Sequence, residues 1–220
     1  MNRTKQNILL FILILFSAYC AITIGESWDH GTEVKKGKVT IDYLFSLGKI
    51  DNYYTLREIY SPIYWSLLYI VSEIFPSQYE NEVIRLTNLI VSLSTIFGVG
   101  KIGKELFNEK VGKITFLIFF LYPIFFGHMA INSKDTIIAF CHVWIFYLLL
   151  KYLQKQNIKK KKNKYIFCIA LLTAIATGQQ LLFIGSLGVI ILFVLIEIFQ
   201  IKKIITNLFS VKIFIFDMLK

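Results

Sequence analysis

Long apolar runs alternate with short charged segments along the whole chain. A membrane-spanning helix needs about 20 mostly apolar residues, so the shorter runs must take in some flanking residues. The runs lie at 8–24, 60–76, 84–100, 114–127, 136–150, 165–177 and 181–200, with a weaker one at 204–219. This pattern predicts an all-α polytopic membrane protein. The first run is too long for a signal peptide and is interpreted as an uncleaved span.

The charges between the runs predict how the spans are oriented. Most of the basic residues fall before residue 8, at 101–113, at 151–164 and at 202–212, whereas 25–82 holds nine acids against five bases. Short cytoplasmic loops collect Lys and Arg, so the basic segments are expected inside and 25–82 outside. This assignment holds only if 60–76, which contains Tyr64 and Trp65, lies along the outer surface as a juxtamembrane helix.

The resulting topology has about six transmembrane helices and a cytoplasmic N-terminus. An outer juxtamembrane helix lies in the first outer loop, 25–82. Residues 1–220 are expected to form a single membrane domain. The predicted spans are at about 8–24, 83–103, 113–128, 136–150, 165–180 and 181–200.

Composition supports this class and excludes several others. The chain is 56% hydrophobic and only 17% charged, against about 45–50% and 25% in soluble domains. Its three cysteines lie in apolar runs, which argues against a disulfide scaffold. The net charge of +10 follows membrane topology, so no nucleic-acid partner is expected and the bilayer is the first partner.

A glycine motif at 98–103 matches G-x-G-x-x-G, and with Lys104 it approaches a phosphate-binding loop. Both motifs require a strand before the glycines, whereas here an apolar helix runs into them. Glu105 also stands where the loop needs a hydroxyl. Close packing or termination of a helix is the better interpretation.

Two outer segments carry ionisable residues next to apolar spans. The first holds Asp29, His30 and Glu33 directly after span one. The second is a short turn at 126–135 that includes Lys134 and Asp135. Charges at a span edge often mark function, although Lys134 can also snorkel and Asp135 can cap the next helix. The functional hypothesis brings the carboxylates of Asp29 and Asp135 to one outer cavity.

This arrangement resembles the N-terminal half of the GT-C superfamily of integral-membrane glycosyltransferases, which includes protein O-mannosyltransferases and aminoarabinose transferases. In that family an acidic motif follows the first span and a second aspartate lies between the third and fourth spans. Asp29 and Asp135 match these positions, and Arg85 matches an arginine after the outer loop. Ser133 replaces the proline of the family's Asn-Pro-Lys-Asp turn. The chain is therefore expected to be the N-terminal portion of a longer module.

The resemblance implies an inverting transfer of a sugar from a polyprenyl-phosphate-linked donor to a glycan, lipid or protein acceptor. Asp29 is the expected catalytic base, with Glu33 or His30 in reserve. Asp29 and Asp135 are candidates for holding a divalent metal ion. The residues assigned to substrate binding are His30, Arg85, Asn132, Lys134 and Asp135.

The resemblance also implies a location in a bacterial inner membrane, with the active-site loops outside. The alternative function is a non-catalytic scaffold or assembly subunit that retains a GT-C-like fold. A transporter fits less well, because ionisable groups or broken helices near the membrane midplane are not evident.

Overall fold

The structure is a computed structural model, and it describes residues 3–25, 27, 30–49, 63–155 and 159–204. Within these residues every regular element is a helix, which confirms the predicted all-α class. The helices are α1 Arg3–Thr23, α2 His30–Phe45, α3 Ile63–Ser72, a 3-10 turn Ser77–Tyr79, α4 Glu80–Leu106, α5 Glu109–Phe120, α6 Pro123–His128, α7 Ser133–Gln154, α8 Lys159–Gln179 and α9 Phe183–Ile204.

Two of the described helical segments are long and apolar enough to cross a membrane. They are Ser77–Leu106, which joins the 3-10 turn to α4, and Ser133–Gln154, which is α7. Shorter apolar helical stretches occur at Asn7–Thr23, Ile63–Ser72 and Phe183–Leu192. Length and composition therefore support two spans among the described residues, and the predicted count of six is not reached by this measure.

The predicted span at 113–128 is not one continuous helix. α5 ends at Phe120 and α6 begins at Pro123. Proline lacks a backbone N–H and disfavours the helical conformation in the residue before it, so Tyr122 is extended and the helix is interrupted. Hydrophobicity alone did not indicate this break.

The apolar run at 60–76 contains the short helix α3, Ile63–Ser72. Ten residues in an α-helix extend about 15 Å, which is half the thickness of a bilayer's hydrocarbon core. The predictions for residues 60–62 lie outside the described residues.

The chain forms two compact units, Met1–Phe140 and Cys141–Lys220. The core of the first unit joins side chains of α1, α4, α5 and the turn that precedes α7. Its buried members are Ala21, Leu89, Leu93, Ile96, Phe120, Met129 and Ala130. In the second unit, Leu149 and Tyr152 of α7 pack against α8 and α9, and the His142 ring nitrogen Nε2 lies 2.7 Å from Ser186 Oγ.

α4 and α5 pack backbone to backbone through the glycines of the G-x-G-x-x-G segment. A Cβ atom on Gly112 would lie 2.7 Å from the carbonyl oxygen of Gly100 and 2.9 Å from Lys104 Cβ. A Cβ atom on Gly103 would lie 3.0 Å from Thr115 Oγ1. The segment therefore lies in a helix that packs closely against its neighbour, which confirms the packing interpretation of the motif.

We expect Gly112→Ala to lower the midpoint of thermal unfolding in detergent by several degrees. The added methyl group meets backbone atoms that cannot move independently, and overpacking of this kind typically costs about 1–3 kcal/mol. The matched control is Gly127→Ala in α6, where an added Cβ has nothing within 4 Å. An equal loss of stability in both variants would contradict the packing role of Gly112.

Candidate functional site

One face of α4 carries buried polar side chains. Arg85, Asn88, Ser92 and Thr95 are 7%, 1%, 0% and 0% exposed. Their spacing of three, four and three residues places them in one stripe along the helix. An unpaired polar group in apolar surroundings is costly. Thr95 bonds back to the Val91 carbonyl of α4 itself, whereas Arg85, Asn88 and Ser92 take partners from other elements, which helps determine what packs against α4.

The N-terminal part of the stripe contacts the end of α1 and helix α3. The guanidinium of Arg85 donates to the carbonyl oxygen of Ile24, directly after α1, and lies 3.5 Å from the carboxylate of Glu82. The Tyr64 hydroxyl of α3 donates to Asn88 Oδ1 at 2.9 Å. Arg85 thus holds the chain where it leaves the first helix and enters the acidic segment.

Two further contacts attach α2 and the turn before α7 to the same helix. His30 Nε2, at the first residue of α2, lies 2.7 Å from Asn81 Oδ1. Ser92 Oγ donates to the carbonyl oxygen of Met129 at 2.8 Å. His30 is 8% exposed, so its ring is a packed part of the site and not a solvated loop residue.

A chain of two hydrogen bonds connects three elements that are distant in sequence. Trp65 Nε1 of α3 donates to Ser133 Oγ at 2.9 Å, and Ser133 Oγ donates to Glu33 Oε2 of α2 at 2.7 Å. Gly37 allows α2 and α3 to approach, since a Cβ atom there would lie 2.5 Å from the Trp65 carbonyl oxygen. The Lys36 ammonium lies 5.2 Å from the centre of the Trp65 ring. The carboxylate of Glu33 is therefore fixed against the start of α7.

A small cavity adjoins the Glu33 carboxylate, and its walls are largely apolar. Its lining residues are His30, Glu33, Val34, Trp65, Leu68, Tyr69 and Ile84. Burial, a hydrogen bond with Glu73 and the charges of Glu73, Asp42 and Glu80 raise the pKa of Tyr69 to about 12. The Tyr69 phenol therefore keeps its proton at neutral pH and lines the cavity as a neutral group.

The turn at 132–135 forms a helix cap. Asn132 Oδ1 accepts from the backbone N–H of Asp135 at 3.1 Å, and Asn132 Nδ2 donates to Asp135 Oδ2 at 2.9 Å. α7 consequently begins at Ser133, earlier than the predicted start at 136, and Asn132 is its cap in place of Asp135. Asp135 is exposed and Lys134 is half-buried.

The structure brings together part of the predicted site. Glu33 meets the 132–135 turn through Ser133, and His30 of α2 contacts α4 at Asn81, four residues before Arg85. Asp29 lies outside the described residues. Among the described residues, no group of three His, Cys, Asp or Glu side chains is positioned to hold a metal ion.

Several site residues were not predicted from the sequence. Ser133 was noticed only as a replacement for proline and Trp65 only as an interfacial aromatic, while Asn81 and Asn88 were not singled out. The available signal was the recurrence of polar residues at helical spacing within an otherwise apolar span, which marks an internal helix face.

We expect Ser133→Ala to destabilise the protein by about 1–3 kcal/mol, because the buried Trp65 indole N–H and the Glu33 carboxylate both lose a partner. A double-mutant cycle with Trp65→Phe measures the coupling through thermal unfolding in detergent. Ser94→Ala, at a half-buried serine of α4, is the control. Strictly additive effects of Ser133→Ala and Trp65→Phe would contradict the hydrogen-bond chain.

Comparison with known proteins identifies the family. The family model described as dolichyl-phosphate-mannose-protein mannosyltransferase matches residues 61–217, more than two thirds of the chain. The match includes Arg85 and the 132–135 turn, whereas His30 and Glu33 precede it. Searches of curated proteins and of solved structures found no match. The resemblance to GT-C glycosyltransferases is confirmed, and the chain belongs to the dolichyl-phosphate-mannose-protein mannosyltransferase family.

Proposed function

We propose that this membrane protein transfers a sugar from a polyprenyl-phosphate-linked donor to an acceptor on the outer face of the membrane, with inversion at the anomeric carbon. Membership of the mannosyltransferase family supports a lipid-linked mannose as the donor. The observation that carries the proposal is the 2.7 Å hydrogen bond between Ser133 and Glu33. It joins the acidic segment after the first helix to the polar turn before α7.

The reaction needs a base for the acceptor more than an acid for the donor. A lipid phosphate leaves readily as an anion, whereas an acceptor hydroxyl must lose its proton as it attacks the anomeric carbon. We assign the base to Asp29, which precedes Glu33 by four residues in the sequence. The role of Glu33 is positioning, because its carboxylate accepts from Ser133 and so anchors the first turn of α2 against α7.

The neighbouring polar residues suit the substrates of such a reaction. Lys134 supplies a positive charge at the turn, where it stabilises the departing phosphate electrostatically. Asn132 and Asp135 offer hydrogen-bonding groups at the half-buried to exposed surface of the same turn. His30 and Arg85 hold the acidic segment in place through Asn81 and the Ile24 carbonyl.

Asp29→Asn is expected to lower the turnover of polyprenyl-phosphate-mannose by about 10²- to 10⁴-fold, the usual contribution of a general base. Glu33→Gln retains an oxygen that accepts from Ser133, so a smaller loss is expected. The measurement follows release of polyprenyl phosphate in membranes that contain the full chain. NMR of the product tests inversion.

The matched control is Asp42→Asn, which removes an α2 carboxylate that does not line the cavity and acts on the site through its charge on Tyr69. Equal turnover in Asp29→Asn and the control would disprove the assignment of the base. If Glu33→Gln loses activity and Asp29→Asn does not, the roles of the two carboxylates are reversed. If both variants keep full activity, the site is not catalytic and the scaffold function gains support.

We further propose that the site faces outward in a bacterial inner membrane, with the N-terminus in the cytoplasm. The support is the segregation of lysines at 101–113 and 151–164 from the acidic segment at 25–82. Single cysteines at Gln78, His128 and Gln156, in a background without the three native cysteines, test this topology. We expect an impermeant thiol reagent to label positions 78 and 128 in intact cells and position 156 only after permeabilisation.

His128 is used in this test because it is exposed, whereas Asn132 caps α7. Protection of position 128 in intact cells, together with labelling of position 78, would place the acidic segment and the turn on opposite faces. That result would contradict the outward-facing site.

A further inference from the structure

A second cavity lies at the opposite end of α4 from the polar site. Its volume is about 430 Å³, within the range of about 300–1,000 Å³ that is usual for ligand pockets. It is formed by the first turns of α1, the C-terminal half of α4 and the facing side of α5. The apolar part of its wall comprises Leu9, Leu10, Leu13, Phe97, Phe116 and Leu117.

The mouth of the cavity is basic. Lys101, Lys104 and Lys113 all line it, together with Glu109 as a carboxylate. Glu109 lies 3.0 Å from the Lys113 ammonium and 3.9 Å from the Lys104 ammonium. The charged residues of the lining are thus three lysines and one glutamate, a formal net charge of +2 that suits an anion.

Glycines shape the floor of the cavity. Gly100 and Gly112 line it where α4 and α5 meet, and a Cβ atom on either would press against the facing helix, so the glycines bring the two helices together at this end of the cavity. Phe97 and Phe116, with ring centres 5.1 Å apart, form an adjoining aromatic wall. The result is a narrow apolar volume that opens beside a cationic rim.

The lysines of the rim lie where a membrane surface is expected along α4. Arg85 and Lys101 are sixteen residues apart on α4, which corresponds to about 24 Å along a helix. The two ends of α4 thus fit opposite faces of the hydrocarbon core. In the topology proposed above, the lysine-rich segment at 101–113 lies on the cytoplasmic side, so the cavity faces the leaflet that holds negatively charged headgroups.

We propose that this cavity binds an anionic phospholipid of the cytoplasmic leaflet. One acyl chain occupies the apolar volume between α1, α4 and α5, and the phosphate lies against Lys101, Lys104 and Lys113. Charge complementarity at the rim distinguishes this ligand from a zwitterionic lipid. The proposal is independent of the sugar-transfer reaction, since the two sites share no residue.

The test compares dioleoyl-phosphatidylglycerol with dioleoyl-phosphatidylcholine added to the full chain in detergent. Phosphatidylglycerol is expected to raise the midpoint of thermal unfolding more than phosphatidylcholine. The triple variant Lys101→Gln, Lys104→Gln, Lys113→Gln should require about tenfold more phosphatidylglycerol for half of that gain, because each lysine contributes to headgroup attraction. A triple variant at Lys151, Lys155 and Lys164, with the same loss of charge, should behave as the wild type.

Photolabelling locates the lipid without any substitution. Phosphatidylglycerol with a diazirine on its acyl chain should form adducts on peptides that contain Leu9–Leu13 or Phe116–Leu117 of the wild-type protein. Photolabelling of the wild-type protein remains informative if the lysine variant fails to fold. The midpoint of thermal unfolding of that variant in phosphatidylcholine alone shows whether it has folded.

Four results would overturn the proposal. Equal stabilisation by the two lipids would show that the protein has no preference for an anionic lipid. Loss of the preference only in the Lys151, Lys155 and Lys164 variant would place the anion site at that basic segment. An equal gain from inorganic phosphate would indicate an ion site with no lipid. Adducts elsewhere, together with a dimer in light scattering, would indicate that a second copy covers the cavity.

Discussion

The polar stripe on α4 is the constraint on which the architecture of the first compact unit depends. Leaving a polar group unpaired among apolar side chains is costly, and four polar side chains of α4 find a partner on another element, while Arg85 Nε and Asn88 Nδ2 are buried without one among the described residues. His30 of α2 meets Asn81, the end of α1 meets Arg85, Tyr64 of α3 meets Asn88, and the turn before α7 meets Ser92. Hydrophobic burial brings helices together without fixing their register, whereas these directional bonds fix where each element meets α4.

The helical class could be predicted because apolar run length and charge segregation are properties of the chain itself. The breaks and starts of individual helices depend on single residues that hydrophobicity does not weigh. Pro123 ends a helix inside an apolar run, and Asn132 begins α7 before the apolar residues do. The ten-residue α3 likewise occupies only part of the apolar run at 60–76. The apolar pattern therefore places helix boundaries only approximately, and single residues at the helix ends set the actual ones.

The sequence allowed some residues of the site to be predicted, but not the hydrogen bonds that connect them. Acidic residues after the first helix and polar residues at 132–135 stand out against their apolar surroundings, so Glu33 and Asp135 could be named. Glu33 reaches the 132–135 turn through a hydrogen bond from Ser133, a small residue whose partner lies 100 positions away in the sequence. Such a contact follows from helix packing and from the close approach of α2 and α3 at Gly37. No local sequence pattern specifies it.

The separation of Glu33 from Ser133 also bears on how the protein is made. The two residues are 100 positions apart, and ribosomes add about 5–20 residues per second, so roughly 5–20 s pass between their synthesis. During that interval α2 has left the ribosome while the residue that holds its carboxylate does not yet exist. The Glu33–Ser133 hydrogen bond can therefore form only after the start of α7 has been made, so α2 must remain free to meet α7 until then.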